Sequence, residues 1–471
     1  MTRLSAALAL AALACAEVAD PSERQQDTFD TGVMDDIESC PPAPLPRRLR
    51  RLSHREYRHA MADLFDVDVA MYGSLAADPT VDGFDNDAEA LRVGALLADQ
   101  YRSLAEAVAL SADLSPWRDC SLEDPDCLDA TISALARSVW RRPLNAEEHD
   151  ELTTLAVELT LGGTREHGLR WMLAALLQSP HFLYRSEVGI EDSDGIYILD
   201  DWEKATALSF QIWGTTPDEA LLDAAATGRL RTDDGLAQEL ERMLEDPRVD
   251  AHLTDLVEAW LHLGQLDTVS RIDLTQEARA DLRAGIRERV QAMTDGTPSD
   301  LLRAGLLVDP ALLTTHGVPE GSGPVQRGVM VRELLLCEPL PPPPSGIDTS
   351  APEVDPSQTT RQQVDQHASD PACAACHEHI DPLGFAFEHY DQLGHWRDHD
   401  HGLPIDDSGH LDGTPFEGAQ GLALLLASDP RLGTCYLQTA RRWLRGRPTC
   451  TETTPELPLQ APLRELDWSR Q

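Results

Sequence analysis

Helix-start signals recur along this chain so closely that little of it is left for sheet. Ser53-His54-Arg55-Glu56 reads as a capping box, a hydroxyl at the N-cap answered by an acid three residues on, with Tyr57, Met61 and Leu64 following on one face. Asn145-Ala146-Glu147-Glu148 and Asp200-Asp201-Trp202-Glu203 repeat the signal. Thr216-Pro217-Asp218-Glu219 sets an N-cap, an N1 proline and an N3 acid in order. Leu97, Tyr101, Leu104 and Val108 share a helical face, and the apolar stretch Leu169–Gln178 stops at Ser179-Pro180. Further helices are expected from Leu128 to near Arg141, and over 234–245, 249–262, 276–294, 325–336 and 417–445. Few segments alternate with period two, so the spacing predicts a mainly α fold. The aromatic and Met residues on these faces are expected in the core.

The pattern breaks in three places. Met1-Thr2-Arg3, the short apolar run Leu4–Ala14 and Ala14-Cys15-Ala16 read as an export signal over residues 1–16. That run is too short to span a bilayer, and Cys15 is a candidate for lipidation. No later apolar run reaches spanning length, so the mature chain is expected to be soluble, or membrane-bound only through a lipid on Cys15. Residues 17–46 are acidic and proline-rich and read as a disordered linker. Pro339 and Pro341 to Pro344 predict a stiff extended strap leading into a polar segment of low periodicity, 345–366. The implied organisation is a helical N-terminal region (47–190), a helical middle region (197–338), the strap with a cysteine–histidine segment (339–400), and an acidic loop with a last helix (401–471).

Charge narrows the partners. Against 81 acidic residues stand 39 basic ones, a net −42, with Lys204 the only lysine. Nucleic-acid binding needs basic patches for phosphates and is excluded on this balance. A positively charged partner or a saline setting that screens self-repulsion suits it.

Cys373-Ala374-Ala375-Cys376-His377 carries the clearest chemistry. Cys-x-x-Cys-His is the attachment motif of c-type haem: two thiols add to two porphyrin vinyl groups, and the next residue offers an imidazole to the iron. A redox disulfide would need no histidine and normally accompanies a βαβ pattern, which is absent. A structural zinc site would want a second cysteine pair, also absent. One covalent haem c is therefore expected, on Cys373 and Cys376, with His377 as proximal ligand. A metal-bound imidazole normally donates its other N–H to a carbonyl or carboxylate. By analogy with small cytochromes, the Pro382 carbonyl in Asp381-Pro382-Leu383-Gly384 is the candidate, a simple tight turn being the alternative. The acids and histidines Asp398-His399-Asp400-His401, Asp406, Asp407 and Asp412 fail the EF-hand spacing and read as a solvated loop. Six further cysteines allow disulfides: Cys120 with Cys127 around an acidic turn, Cys435 with Cys450 around the last helix, and Cys40 with Cys337 by elimination. Buried free thiols are the alternative.

Several motifs occur in one order: Arg48 to Tyr57 (RLRRLSHREY), Trp140-Arg141-Arg142-Pro143-Leu144, Leu177 to Arg185 (LQSPHFLYR), Trp213 to Asp218 (WGTTPD), Arg327-Gly328, Leu336-Cys337 with the proline run, and Cys373 to Asp391. With these the chain resembles the large exported planctomycete-type cytochrome c family, made of consecutive domains of unknown function. The resemblance runs over roughly residues 40–450. It implies a helical body with a C-terminal c-type cytochrome-like haem module, and it supplies no enzyme activity. It also implies histidines at His367 and His316, the candidates for the sixth iron ligand. No Met follows His377, and Met330 lies in an apolar helix.

The expectation is an exported protein (periplasm, outer-membrane lipoprotein or cell surface) that transfers electrons through one haem, with a redox partner protein at the cell envelope. Two-histidine ligation would favour electron transfer, and an open sixth position a peroxidase-like haem enzyme. A surface polymer- or partner-binding protein with accessory haem is the third reading, because most of the chain lies outside the haem segment.

Overall fold

The computed structural model describes residues 47–160, 163–191, 197–271, 274–319, 321–341, 355–369 and 371–446. The export signal, the acidic linker and the strap from Pro342 onward lie outside these. The described chain is mainly helical, with four two-stranded antiparallel sheets.

The capping signals start helices where they stand, except that Thr216 and Pro217 precede the helix they are expected to open, whose N-cap is Asp218. Ser53, Asn145 and Asp200 each close a capping box, for His54–Phe65, Ala146–Glu158 and Asp201–Ile212, and Asp218 caps Glu219–Ala226. Expected boundaries hold to within a few residues for Asp233–Leu244, Arg248–Trp260 and Gln276–Gln291. The stretch expected as one helix over 417–445 is two, Gly418–Leu426 and Pro430–Arg445. Pro430, with no N–H to give, begins the second behind the Asp429 cap. The stretch over 325–336 runs as Pro324–Met330 and then widens into a π-type turn, Val331–Leu335.

Two apolar clusters organise the molecule. One gathers Leu52, Tyr57, Tyr101, Ile132, Leu173 and Phe182 with their neighbours from the N-terminal region. The other takes Leu208, Trp260, Leu312 and Val331 from the middle region together with Leu383, Phe387, Leu422 and Trp443 from beyond the strap. The cysteine–histidine segment and the last helices thus share the core of the middle region. A short strand, Arg48–Arg51, pairs with Tyr184–Glu187 in the register Arg48↔Glu187 to Arg51↔Tyr184 and ties the start of the N-terminal region to its end.

Cys120 and Cys127 are bridged as expected. Cys337 is bridged to Cys435, which corrects both other expected pairs. Cys435 lies on the inner face of its helix, 1% exposed and turned toward the Val331–Leu335 turn that delivers Cys337. Cys40 and Cys450 lie outside the described residues. Among the described residues no helix is long and apolar enough to cross a membrane.

Candidate functional site

The segment expected to lack periodicity contains a helix, Thr360–Ala368, started by a capping box between Thr359 and Gln362. A turn at Ser369 leads into Pro371–Gly384, the helix that carries Cys373, Cys376 and His377. Both thiols are free and half-buried. His377 faces Asp381 one helical turn on, with Nδ1 2.9 Å and 3.0 Å from the two carboxylate oxygens. With the carboxylate ionised, Nδ1 carries the proton and Nε2 keeps its lone pair. Asp381 is buried, and burial raises its carboxyl to about 6 against the pull of the His377 imidazole.

The Nδ1 partner is therefore Asp381 and not the Pro382 carbonyl, which is turned against the α-carbon of Gly409 in the strand Ser408–Leu411. Helical continuity through Pro382 explains the difference: at i+4 the Asp381 side chain lies over the His377 turn, whereas a backbone carbonyl points along the helix axis.

Close contacts fix this helix from behind. A Cβ at Gly384 would overlap the Pro324 carbonyl, and one at Gly328 would overlap the Ile380 carbonyl, so two helices cross backbone to backbone where only glycine fits. Arg332 donates from Nε to the His379 carbonyl at 3.0 Å and from Nη2 to Asp412 at 2.8 Å. Arg327, fully buried, donates to the carbonyls of Phe387 (3.1 Å), Tyr390 (2.8 Å) and Asp391 (2.6 Å), and burial lowers its pKa to about 9. Arg361 reaches the Ser408 carbonyl at 2.6 Å and lies over the Phe385 ring at 4.3 Å. Arginines from three helices and turns thus grip the backbone around the motif.

His367 stands beside His377, ring centroids 5.1 Å apart and planes at 70°. His316 lies in another part of the fold: its Nε2 donates to the Leu261 carbonyl at 2.8 Å, and burial lowers its pKa to about 4. Of the acidic loop, Asp400 pairs with Arg397, Asp406 accepts from Ser408, and Asp412 pairs with Arg332 and Arg431. No group of three or more His, Cys, Asp or Glu gathers as an ion site among the described residues.

The site defines a class before any relative does: a helical protein presenting two free thiols and an oriented imidazole on one helix. Four families, each described as a protein of unknown function, match in succession: PSD3 (DUF1587) over 50–113, PSD5 (DUF1595) over 127–187, PSD4 (DUF1592) over 199–312 and PSCyt3 (DUF1588) over 303–400. The chain belongs to the planctomycete-type family made of such consecutive domains of unknown function. The name PSCyt3, over the stretch that holds the motif, hints at cytochrome c. No curated protein and no solved structure matches the chain.

Proposed function

We propose that this protein is an exported c-type cytochrome holding one haem on Cys373 and Cys376, with His377 as proximal ligand, and that it exchanges electrons with a redox partner at the cell envelope. The observation that carries the reading is the donor set: two unbridged thiols one helical turn apart, followed by a histidine whose Nδ1 is held by Asp381 and whose Nε2 is left for iron. When bound, the haem supplies a one-electron couple whose potential the protein tunes through ligands, hydrogen bonds and burial. Asp381 orients the imidazole and fixes its tautomer. The bridge Cys337–Cys435 suits an oxidising compartment, where such haem is attached.

His367 is the candidate for the sixth position. It would hold the iron from the neighbouring helix, where its ring stands 5.1 Å from that of His377. His316 is the weaker candidate, because its Nε2 would have to leave the Leu261 carbonyl. If neither ligates, the open position suits a peroxidase-like haem enzyme.

One observation favours partner binding with the haem accessory. Trp396 is 60% exposed, yet held rigidly, stacked on His389 at 4.4 Å with planes at 3°.

The test is a pyridine haemochrome spectrum with intact mass on full-length protein made with cytochrome c maturation machinery. A thioether-type spectrum and the added mass of one haem are expected. Exported protein without covalent haem would overturn the reading, leaving Cys373 and Cys376 a redox pair. The ferric spin state of loaded protein, compared with that of His367→Ala, then separates electron transfer from ligand chemistry.

A further inference from the structure

Far along the chain from the cysteine–histidine helix, three of the ordered sequence motifs converge on one buried point. Arg50 from the first, Glu56 from the same motif, Arg141 from the second and Arg185 from the third lie within electrostatic reach of one another. Arg50 and Arg185 stand directly opposite in the antiparallel strand pair, so their side chains share a face. They are 1% and 2% exposed. Like charges so placed repel, and here without the screening of water. The neighbouring pair on that face, Arg48 and Glu187, is complementary and closes an ion pair at 2.8 Å. Four guanidinium groups, Arg48, Arg50, Arg141 and Arg185, thus face two carboxylates, Glu56 and the Arg48-paired Glu187, in a chain that carries a large net negative charge.

Glu56 does not complete the balance. Its Oε2 accepts the backbone N–H of Ser53 at 2.7 Å in the capping box, and its Oε1 lies 3.2 Å from Arg185 Nη2 without aligning as a hydrogen-bond acceptor. Burial would raise its pKa, but Arg185 and Arg50 pull it down to about 2. Arg141 spends Nη2 on the carbonyls of His181 (2.7 Å), Phe182 (3.1 Å) and Tyr184 (2.9 Å). Arg55 turns away, to Asp85 at 3.0 Å. Left over are N–H groups at Arg185 Nε and Nη2 and at Arg50 Nε, all buried. Burial and the Arg185 charge lower Arg50 to about 10, the mark of an under-compensated cation. An unpaired buried guanidinium N–H is costly, and the Nε–Nη2 edge is the side on which arginine grips an anion.

We infer that the Nε–Nη2 edge of Arg185, facing Arg50 across the strand pair, binds one small inorganic anion of the halide class. The ionised Glu56 Oε1, 3.2 Å from Arg185 Nη2, repels any anion at the fork, so the guest is the one of least charge and extent, a single monovalent atom held between Arg185 and Arg50. Such an ion binds the folded seam and not the unfolded chain, so it stabilises by mass action. It also locks the Arg48–Arg51 strand to Tyr184–Glu187, and with it the two ends of the N-terminal region.

The experiment uses the full-length protein and needs no variant at first. Thermal midpoints are measured against bromide at constant ionic strength, with gluconate as the replaced anion. A saturable rise of roughly 3–5 °C is expected, together with an anomalous bromide peak between Arg50 and Arg185 in crystals. Arg50→Met, which removes one of the opposed charges, should fold and lose the saturable part. A midpoint indifferent to anion identity overturns the proposal. So does a bromide peak at the seam without saturable stabilisation (an adventitious ion only), or a seam closed by Glu56 or by water alone. None of these readouts depends on haem.

Discussion

The N-terminal region and the cysteine–histidine segment hold their shapes by opposite means. Residues 51–185 surround a dense apolar cluster and bury Arg51, Arg141 and Arg185 beside it. The segment from Thr360 to Glu417 contributes few core side chains, chiefly Leu383, Phe385, Phe387, Leu411 and Phe416, and is gripped instead by arginines that donate to its backbone carbonyls. The first design fixes a body. The second fixes the position of one helix while leaving the thiols and histidines on its other side partly open. Substitutions in the first should cost global stability. In the second they should disturb the motif helix in proportion to the anchor removed.

The largest expected effect separates the two bridges. Cys337–Cys435 spans 98 residues and ties the Arg332 turn to the last helix, whereas Cys120–Cys127 spans 7. In the chain-entropy view the long loop gains more, so Cys337→Ser with Cys435→Ser should cost about 4 kcal/mol and the short pair about 2 kcal/mol. Urea midpoints of the two double variants check this, and equal losses would show that the middle region does not depend on its covalent tie. Gly384→Ala comes next. Its methyl group would meet the Pro324 carbonyl, a backbone atom that cannot rotate away, for a loss of about 3 kcal/mol. Gly264→Ala, with open space around it, is the matched control and should change little. Arg327→Met strands the carbonyls of Phe387, Tyr390 and Asp391 for about 2 kcal/mol. It should also lower the yield of haem-loaded protein without moving the halide response of the N-terminal seam.

The helical body was legible in the sequence because its signals are local. A hydroxyl or carboxylate at an N-cap and an acid three residues on name a helix start without reference to the rest of the chain, as at Ser53, Asn145 and Asp200. The same signal stands at Thr359-Gln362 and could have placed a helix in the segment read as aperiodic; its polar faces hid it, since a short helix covering little core has no apolar stripe. Asp381 was legible too, as the fourth residue after His377, once the helix is carried through Pro382. The pairing of Cys337 with Cys435, the strand pair Arg48–Arg51 with Tyr184–Glu187 and the meeting of Arg50 with Arg185 were not. Each joins residues far apart in sequence, and nothing near either partner encodes the other.

Acid tests the buried side of the comparison. His54 and His252 are held neutral, each lowered to about 3 first by burial and then, for His54, by Arg51; Asp255 opposes the shift at His252. A histidine whose folded pKa lies below its unfolded value near 6.5 contributes stability that is complete above about pH 6.5 and is lost as pH falls toward the folded pKa. Each should cost about 1.4 kcal/mol per pH unit below that point. His252→Gln should flatten the slope of the midpoint between pH 6.5 and 4.5, and an unchanged slope would mean that His252 stays neutral in both states.

The smallest expected stability effect is the most informative about partners. Trp396 lies mostly in solvent, donates to Asp398 at 3.0 Å, and rests on His389, which is itself held by its Nδ1 bond to the Arg397 carbonyl at 2.8 Å. Removing the indole costs one exposed stack and one exposed hydrogen bond, so Trp396→Ala should lower stability by less than about 1 kcal/mol. A rigid exposed aromatic loses little side-chain entropy when a partner covers it, which is why such residues carry interfaces. If the loop from His389 to Asp400 receives the redox partner, Trp396→Ala should slow reduction by that partner severalfold while leaving the haem spectrum and the urea midpoint in place. A change in midpoint as large as that of Gly384→Ala would instead make Trp396 part of the scaffold, and the partner surface would have to be sought elsewhere.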